Sequence, residues 1–73
     1  MIVKKIILLD FSKDSKITDI LSYALKESKK YNAIIRFKFK GVEMDVSFKE
    51  DISVYHQIGK LLDNYYCGLR NVM

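Results

Sequence analysis

The chain has 73 residues, of which 49% are hydrophobic and 30% are charged, with a formal net charge of +4. These proportions are typical of one small folded domain spanning residues 1–73, and they exclude an intrinsically disordered chain. The single Cys67 excludes an intramolecular disulfide. The apolar run from Ile6 to Leu9 is too short for a signal peptide, and no run approaches the roughly 18 residues of a membrane span. We therefore expect a cytoplasmic protein without a membrane partner.

The first predicted element is a strand from Ile2 to Phe11, rich in β-branched residues. Its centre, Ile6 to Leu9, is apolar at every position, so apolar side chains lie on both faces of the strand. If helices cover one face, the strand must expose one of two sets on the other, either Val3, Ile7 and Leu9 or Ile6 and Leu8. We expect a second chain to cover that exposed set.

A helix is predicted from Lys16 to about Tyr31, because apolar residues recur there at spacings of three and four. Ser15 or Asp14 is expected to cap its N-terminus, and Asn32 its C-terminus. Lysines lie near the C-terminal end of this helix, where cations complement the helix dipole: Lys26, Lys29 and Lys30.

Residues 33–48 predict a β-hairpin with a two-residue turn at Lys40-Gly41, where Gly41 supplies a positive φ. In this register apolar residues pair on one face and opposite charges pair on the other. A shift of one residue would expose phenylalanines and bury lysines, so the register is strongly specified. The expected pairs are Phe39 with Val42, Phe37 with Met44, Ile35 with Val46, Ala33 with Phe48, Lys38 with Glu43, and Arg36 with Asp45.

A second helix is predicted from about Val54, with Asp51 or Ser53 as its N-cap. Gly59 lies in its middle, at a cost of about 1 kcal/mol relative to alanine, and suggests close packing of another element. Gly68 is expected to end the helix as its C′ residue, which leaves residues 69–73 as a frayed tail unless Leu69 folds back.

The predicted order β-α-β-β-α indicates an α+β fold, a two-layer sandwich with both helices on one face of a mixed three-stranded sheet. The sequence leaves open whether the first strand pairs with the second or the third. The other face of the sheet, free of helices, is expected to carry Arg36, Lys38, Lys40, Glu43, Asp45 and Ser47.

No catalytic, cofactor or metal site is predicted, and we expect a protein that is not an enzyme. His56 and Asp63 share a helix face with Lys60 and Cys67, but two helical turns separate them, too far for one tetrahedral metal. Cys67, near a helix C-terminus, lacks the positive surroundings that activate a thiol. The three glycines are isolated, so no phosphate-binding loop is present.

Nucleic-acid binding is a candidate function, because residues 1–40 carry ten Lys or Arg against four Asp or Glu. A single-strand binder would stack bases on Phe37 and Phe39, but strand alternation places these rings on the face opposite the basic residues. The remaining candidates for phosphate contacts are Lys26, Lys29, Lys30 and the N-terminal lysines.

The hairpin and the start of the last helix, F-K-F-K-G-V-E-M-D-V-S-F-K-E-D-I-S-V, resemble small orphan proteins of phages and mobile elements in AT-rich Gram-positive bacteria. The resemblance covers about half of the chain and implies a stand-alone inhibitor, adaptor or anti-defence factor that binds a host protein. The β-α-β-β-α order is also similar to the small DNA-damage-inducible modulators of RecA, which engage RecA through an acidic second helix. The second helix here has no acidic ridge, so that function is not carried over.

The leading hypothesis is therefore a protein-binding domain whose partner is a host protein or a second copy of the chain. The expected contacts are Arg36, Lys38, Lys40, Glu43 and Asp45, together with the exposed side of the first strand. The alternatives are a small nucleic-acid-binding protein and a purely structural homo-oligomer.

Overall fold

The computed structural model describes residues 5–72, and the side chain of residue 72 is not described. Three strands and two helices follow in the order β-α-β-β-α, which confirms the predicted α+β class. Two predicted segments extend beyond the described residues. They are residues 2–4 of the first strand, which include Val3, and residue 73 of the tail. The elements are β1 (Lys5–Leu9), α1 (Ile17–Tyr31), β2 (Ala33–Phe39), β3 (Val42–Val46) and α2 (Val54–Val72).

The three strands form one mixed sheet in the order β1-β2-β3. β1 runs parallel to β2, with Lys5 beside Ala33 and Leu9 beside Phe37. β3 runs antiparallel to β2. This arrangement answers the question that the sequence left open, because the first strand pairs with the second and both β1 and β3 are edge strands.

The hairpin has the predicted turn and the predicted register from Phe39–Val42 to Ile35–Val46. Lys40 and Gly41 both have positive φ, at 51° and 85°, as a tight turn of the primed type requires. The predicted pairing of Ala33 with Phe48 is wrong, because β3 ends at Val46 and the chain then leaves the sheet toward α2.

One face of the sheet is buried beneath the helices and forms the core. Alternate residues of β2 and β3, from Ala33 to Val46, are buried there while their neighbours are half-buried or exposed. Helix α1 contributes Ile20, Leu21, Ala24 and Leu25 to this core, and α2 contributes Tyr65. The buried side chains of the strands therefore pack against the apolar stripe of α1, as expected of a two-layer sandwich.

The helix ends agree with the sequence in part. The N-cap of α1 is Lys16, whose side chain makes no capping hydrogen bond, so the prediction of Ser15 or Asp14 is wrong. Asn32 is the C-cap, in the left-handed conformation with φ 48° and ψ 52°, and its N–H donates to the Ser28 carbonyl. At the start of α2 the Ser53 hydroxyl accepts a hydrogen bond of 3.2 Å from the His56 N–H, which confirms Ser53 as a cap.

Helix α2 does not end at Gly68 as predicted, but continues to Val72. The expected frayed tail is therefore helical at residues 69–72, and Leu69 packs against the core. A Cβ built on Gly68 would lie 2.6 Å from Cγ1 of Val42, whereas a Cβ on Gly59 would meet nothing within 4 Å. The expectation that Gly59 marks a close contact with another element of the chain is wrong, and Gly68 has that role.

Two buried polar side chains fix the loop between β3 and α2. The Ser28 hydroxyl donates to the Ala33 carbonyl at 2.5 Å and accepts from the Phe48 N–H at 2.9 Å. The Gln57 amide accepts from the Lys49 N–H at 2.9 Å and donates to the carbonyls of Lys49 and Ile52 at 2.9 and 2.8 Å. The N–H groups of Phe48 and Lys49 and the carbonyls of Lys49 and Ile52 thus have partners although this loop belongs to no strand or helix.

Candidate protein-binding face

The face of the sheet opposite the helices, here called the open face, combines an apolar edge with a charged centre. Its residues follow from strand alternation and from the pairing of β1 and β3 with β2. They are Ile6 and Leu8 from β1, Ile34, Arg36 and Lys38 from β2, and Glu43 and Asp45 from β3.

The apolar edge consists of Ile6, Leu8 and Ile34. Leu8 is 73% exposed and Ile6 is 46% exposed, and the half-buried Ile34 lies beside Ile6 in the register. Of the two sets that the sequence left open, the second is therefore the exposed one, because Ile7 and Leu9 pack against the core. Sequence reasoning missed Ile34, although its alternation with Arg36 places it on the same face.

A bidentate ion pair lies at the centre of the open face. Arg36 donates from Nε to Asp45 Oδ1 at 2.8 Å and from Nη2 to Asp45 Oδ2 at 3.0 Å, while Glu43 Oε1 lies 3.9 Å from the same Nε. The hydrogen bonds from Arg36 lower the pKa of Asp45 below its ordinary value, and those to Asp45 raise the pKa of Arg36. The predicted cross-strand pair is therefore formed and orients both groups.

The two lysines assigned to this face, Lys38 and Lys40, differ from Arg36 in their surroundings. Lys38 is exposed on the open face opposite Glu43 in the register, and it forms no ion pair within residues 5–72. Lys40 lies in the turn, and its Nζ is 5.4 Å from the centre of the Phe39 ring. Lys40 also lines a hollow together with Lys38, and its place among the open-face charges stays a prediction.

The lysines proposed for phosphate contacts are exposed on α1, in the helix layer. The Nζ of Lys29 lies 5.1 Å from the centre of the Phe48 ring, and the Nζ of Lys30 lies 5.2 Å from that of Tyr31. Lys5 pairs with Ala33, just after the end of α1, so it is near the same end of the molecule. Lys26 is exposed one turn away, and the other N-terminal lysine, Lys4, lies outside the described residues.

The helix face with His56, Lys60, Asp63 and Cys67 is exposed. Within residues 5–72, no three His, Cys, Asp or Glu side chains are grouped so that they could hold a metal ion. In the same part of the chain, neither helix has the length and apolar character needed to span a membrane.

No model of a known protein family matches this chain, and comparisons with curated proteins and with solved structures also find no match.

Proposed function

We propose that the chain is a non-enzymatic protein-binding domain and that its partner docks on the open face. The observation that carries this proposal is the exposed apolar edge of Ile6, Leu8 and Ile34 beside an oriented charged centre. As implied by the resemblance of its hairpin, the domain acts as a phage or mobile-element inhibitor or modulator of a host protein. A flat face suits such a role, because a protein interface of about 800 Å² per partner needs no enclosed pocket.

The apolar edge supplies the favourable free energy of binding. Leu8 makes no contribution to the core and is 73% exposed, so a partner that covers it removes apolar surface from water without disturbing the fold. β1 is also an edge strand, and its backbone can pair with an extended strand of the partner.

The charged centre supplies orientation and selectivity. Arg36 and Lys38 balance Glu43 and Asp45 in number, so the open face has no net charge of its own and favours a partner with a mixed polar surface. Because Asp45 already holds the Arg36 guanidinium in place, less side-chain freedom is lost when a partner binds beside it.

The test compares retention of host proteins by immobilised wild-type protein and two variants, using lysate of an AT-rich Gram-positive bacterium. Leu8→Lys places a charge on the apolar edge, at an edge-strand position where lysine is tolerated. Lys26→Glu is the control, since Lys26 is exposed in the other layer. Circular dichroism and thermal unfolding establish that both variants are folded.

The proposal expects a defined host protein that wild type and Lys26→Glu retain, that Leu8→Lys loses, and that nuclease treatment of the lysate does not release. Retention that persists with Leu8→Lys would remove the open face from the binding site. We avoid reversing Arg36 in this test, because a carboxylate there would lie beside Asp45 and Glu43 and would perturb the sheet itself.

Nucleic-acid binding is the second candidate, favoured by the lysines at one end of α1 and by Lys5 nearby. It predicts retention that nuclease abolishes, and that Lys26→Glu combined with Lys29→Glu and Lys30→Glu weakens. It also predicts an affinity that falls with salt, with a log–log slope of about −0.9 per phosphate contacted on duplex DNA. Docking on the apolar edge depends much less on salt.

A further inference from the structure

We infer that helix α2 carries a self-association surface, through which two copies of the chain pair their α2 helices antiparallel. This surface lies in the helix layer, on the other side of the sheet from the open face. It is therefore independent of the proposed function, and each can fail without the other.

The first observation is Gly59, a glycine in the middle of a helix for which residues 5–72 offer no packing reason. A glycine there lowers helix stability by about 1 kcal/mol relative to alanine, yet a Cβ at Gly59 would meet nothing within 4 Å. The space above its backbone is open. A partner helix can therefore approach α2 closely at this point, where any larger residue would hold it away.

The second observation is the set of side chains around that gap. Tyr55, Gly59, Leu62 and Tyr66 lie along one stripe of α2, within an arc of roughly 60° and over roughly 16 Å of the helix axis. Together they line one shallow hollow on the surface. Tyr55 is 90% exposed and Tyr66 is 49% exposed. Two exposed tyrosines flanking a gap form the kind of surface that is enriched in protein interfaces.

The third observation points to a second copy as the occupant, because the side chains along the stripe complement the same stripe read in reverse, with a tyrosine at each end and a glycine and a leucine between them. The four residues are separated by four, three and four positions. In an antiparallel pair related by a two-fold axis, Tyr55 therefore meets Tyr66 of the second copy. Leu62 is half-buried and packs against the core of its own chain, but it also lines the hollow, and this part of its side chain meets the gap at Gly59. Such a surface is complementary to itself, as a two-fold interface requires.

The charges beside this stripe are complementary in the same antiparallel arrangement. Asp63 and Lys60 lie on one flank of α2, about 70° and about 130° from the centre of the stripe. Both are exposed and line the same hollow, and neither forms an ion pair within the described part of the chain. Rotation about nearly the same axis places Lys60 of each copy near Asp63 of the other. Both ion pairs then lie on the same side of the helix pair. In a parallel pair the two charged flanks would lie on opposite sides of the interface, so the charges favour the antiparallel direction.

The experiment measures the dimer dissociation constant of the full chain by sedimentation equilibrium, at low salt. Gly59→Arg fills the gap with a residue that favours helices, at a site where the monomer offers room, so the variant is expected to fold. We expect it to raise the dissociation constant at least about 10-fold, the effect of losing a well-packed interface contact. Tyr31→Ala is the control, an exposed tyrosine at the end of α1 that is expected to leave dimerisation unchanged.

A charge exchange tests the direction of the pair without relying on Gly59. Asp63→Lys should weaken dimerisation about five-fold at low salt, since exposed pairs contribute little each and two are reversed. Adding Lys60→Asp to it should restore the wild-type dissociation constant. The inference would be overturned if the wild-type protein is monomeric, if Gly59→Arg leaves the dimer unaffected, or if the charge exchange does not rescue dimerisation. It would also be overturned, in favour of the open face, if the dimer is lost only with Leu8→Lys.

Discussion

The same substitution at two glycines of α2 should change stability in opposite directions. At Gly59, alanine gains helix propensity of about 1 kcal/mol and meets no other atom within 4 Å. We therefore expect Gly59→Ala to raise the free energy of unfolding by about 0.5–1 kcal/mol. For a domain of this size such a gain raises the melting temperature by roughly 2–8 °C.

At Gly68 the same gain in propensity is outweighed by a steric conflict. The new Cβ would lie 2.6 Å from Cγ1 of Val42, a short β-branched side chain that has little freedom to move aside. Overpacking of a core costs typically about 1–3 kcal/mol. We therefore expect Gly68→Ala to be neutral or to lower the free energy of unfolding by up to about 2 kcal/mol.

Urea unfolding of wild type, Gly59→Ala and Gly68→Ala, followed by circular dichroism, measures both changes. The protein is kept dilute so that self-association does not add to the measured stability. The double variant Gly68→Ala with Val42→Ala removes the methyl groups in conflict, and a double-mutant cycle should give a coupling energy of about 1 kcal/mol or more. If Gly68→Ala stabilises the chain as much as Gly59→Ala does, α2 and β3 do not pack as closely as described.

Three further changes test the polar interactions that hold the fold. Ser28→Ala leaves two backbone groups without their partner and should lower the free energy of unfolding by about 1–3 kcal/mol, whereas Ser22→Ala, at an exposed position of the same helix, should have little effect in urea unfolding. Gln57→Glu places a carboxylate against two carbonyl oxygens, which raises its folded-state pKa, so the variant should be least stable at neutral pH and recover as the pH falls and the carboxyl is protonated. The pKa of Asp45 is lowered by Arg36. The stabilising effect of this pair is therefore present above the unfolded pKa of Asp45, about 3.9, and is lost as the pH falls through the folded pKa. Wild type should be more stable than Asp45→Asn at pH 7, and the difference should disappear in strong acid.

The hairpin could be predicted from sequence in nearly full detail, because its information is local. A period of two, alternating charge and one glycine at the turn leave a single register that buries the phenylalanines, and the structure has that register. The end of α2 could not be predicted in this way. A glycine after an apolar stripe is a common helix end, and only the distance from Gly68 to Val42, across 26 residues of chain, shows that this glycine serves packing instead.

For a related reason, the charged centre of the open face could be predicted from the sequence, whereas its apolar edge could not be predicted in full. Arg36 and Asp45 face each other across one hairpin, so their pairing follows from the register alone. Which face of β1 is exposed depends on its pairing with β2. This pairing brings Ile6 beside Ile34, although the whole of α1 separates the two residues in sequence. For Lys40 the alternation of the strand gives no answer, because this residue lies in the turn and has a positive φ.

The two proposed surfaces lie on opposite layers of the sandwich, and this separation makes a combined prediction. A dimer formed through α2 would present two open faces to two partner molecules, so binding to a partner immobilised at high density would gain avidity. Gly59→Arg should then lower the apparent affinity for the immobilised partner, but not the affinity for single partner molecules in solution. Leu8→Lys should lower both. If Gly59→Arg weakens binding equally in both formats, α2 itself contacts the partner, and the two surfaces do not have separate roles.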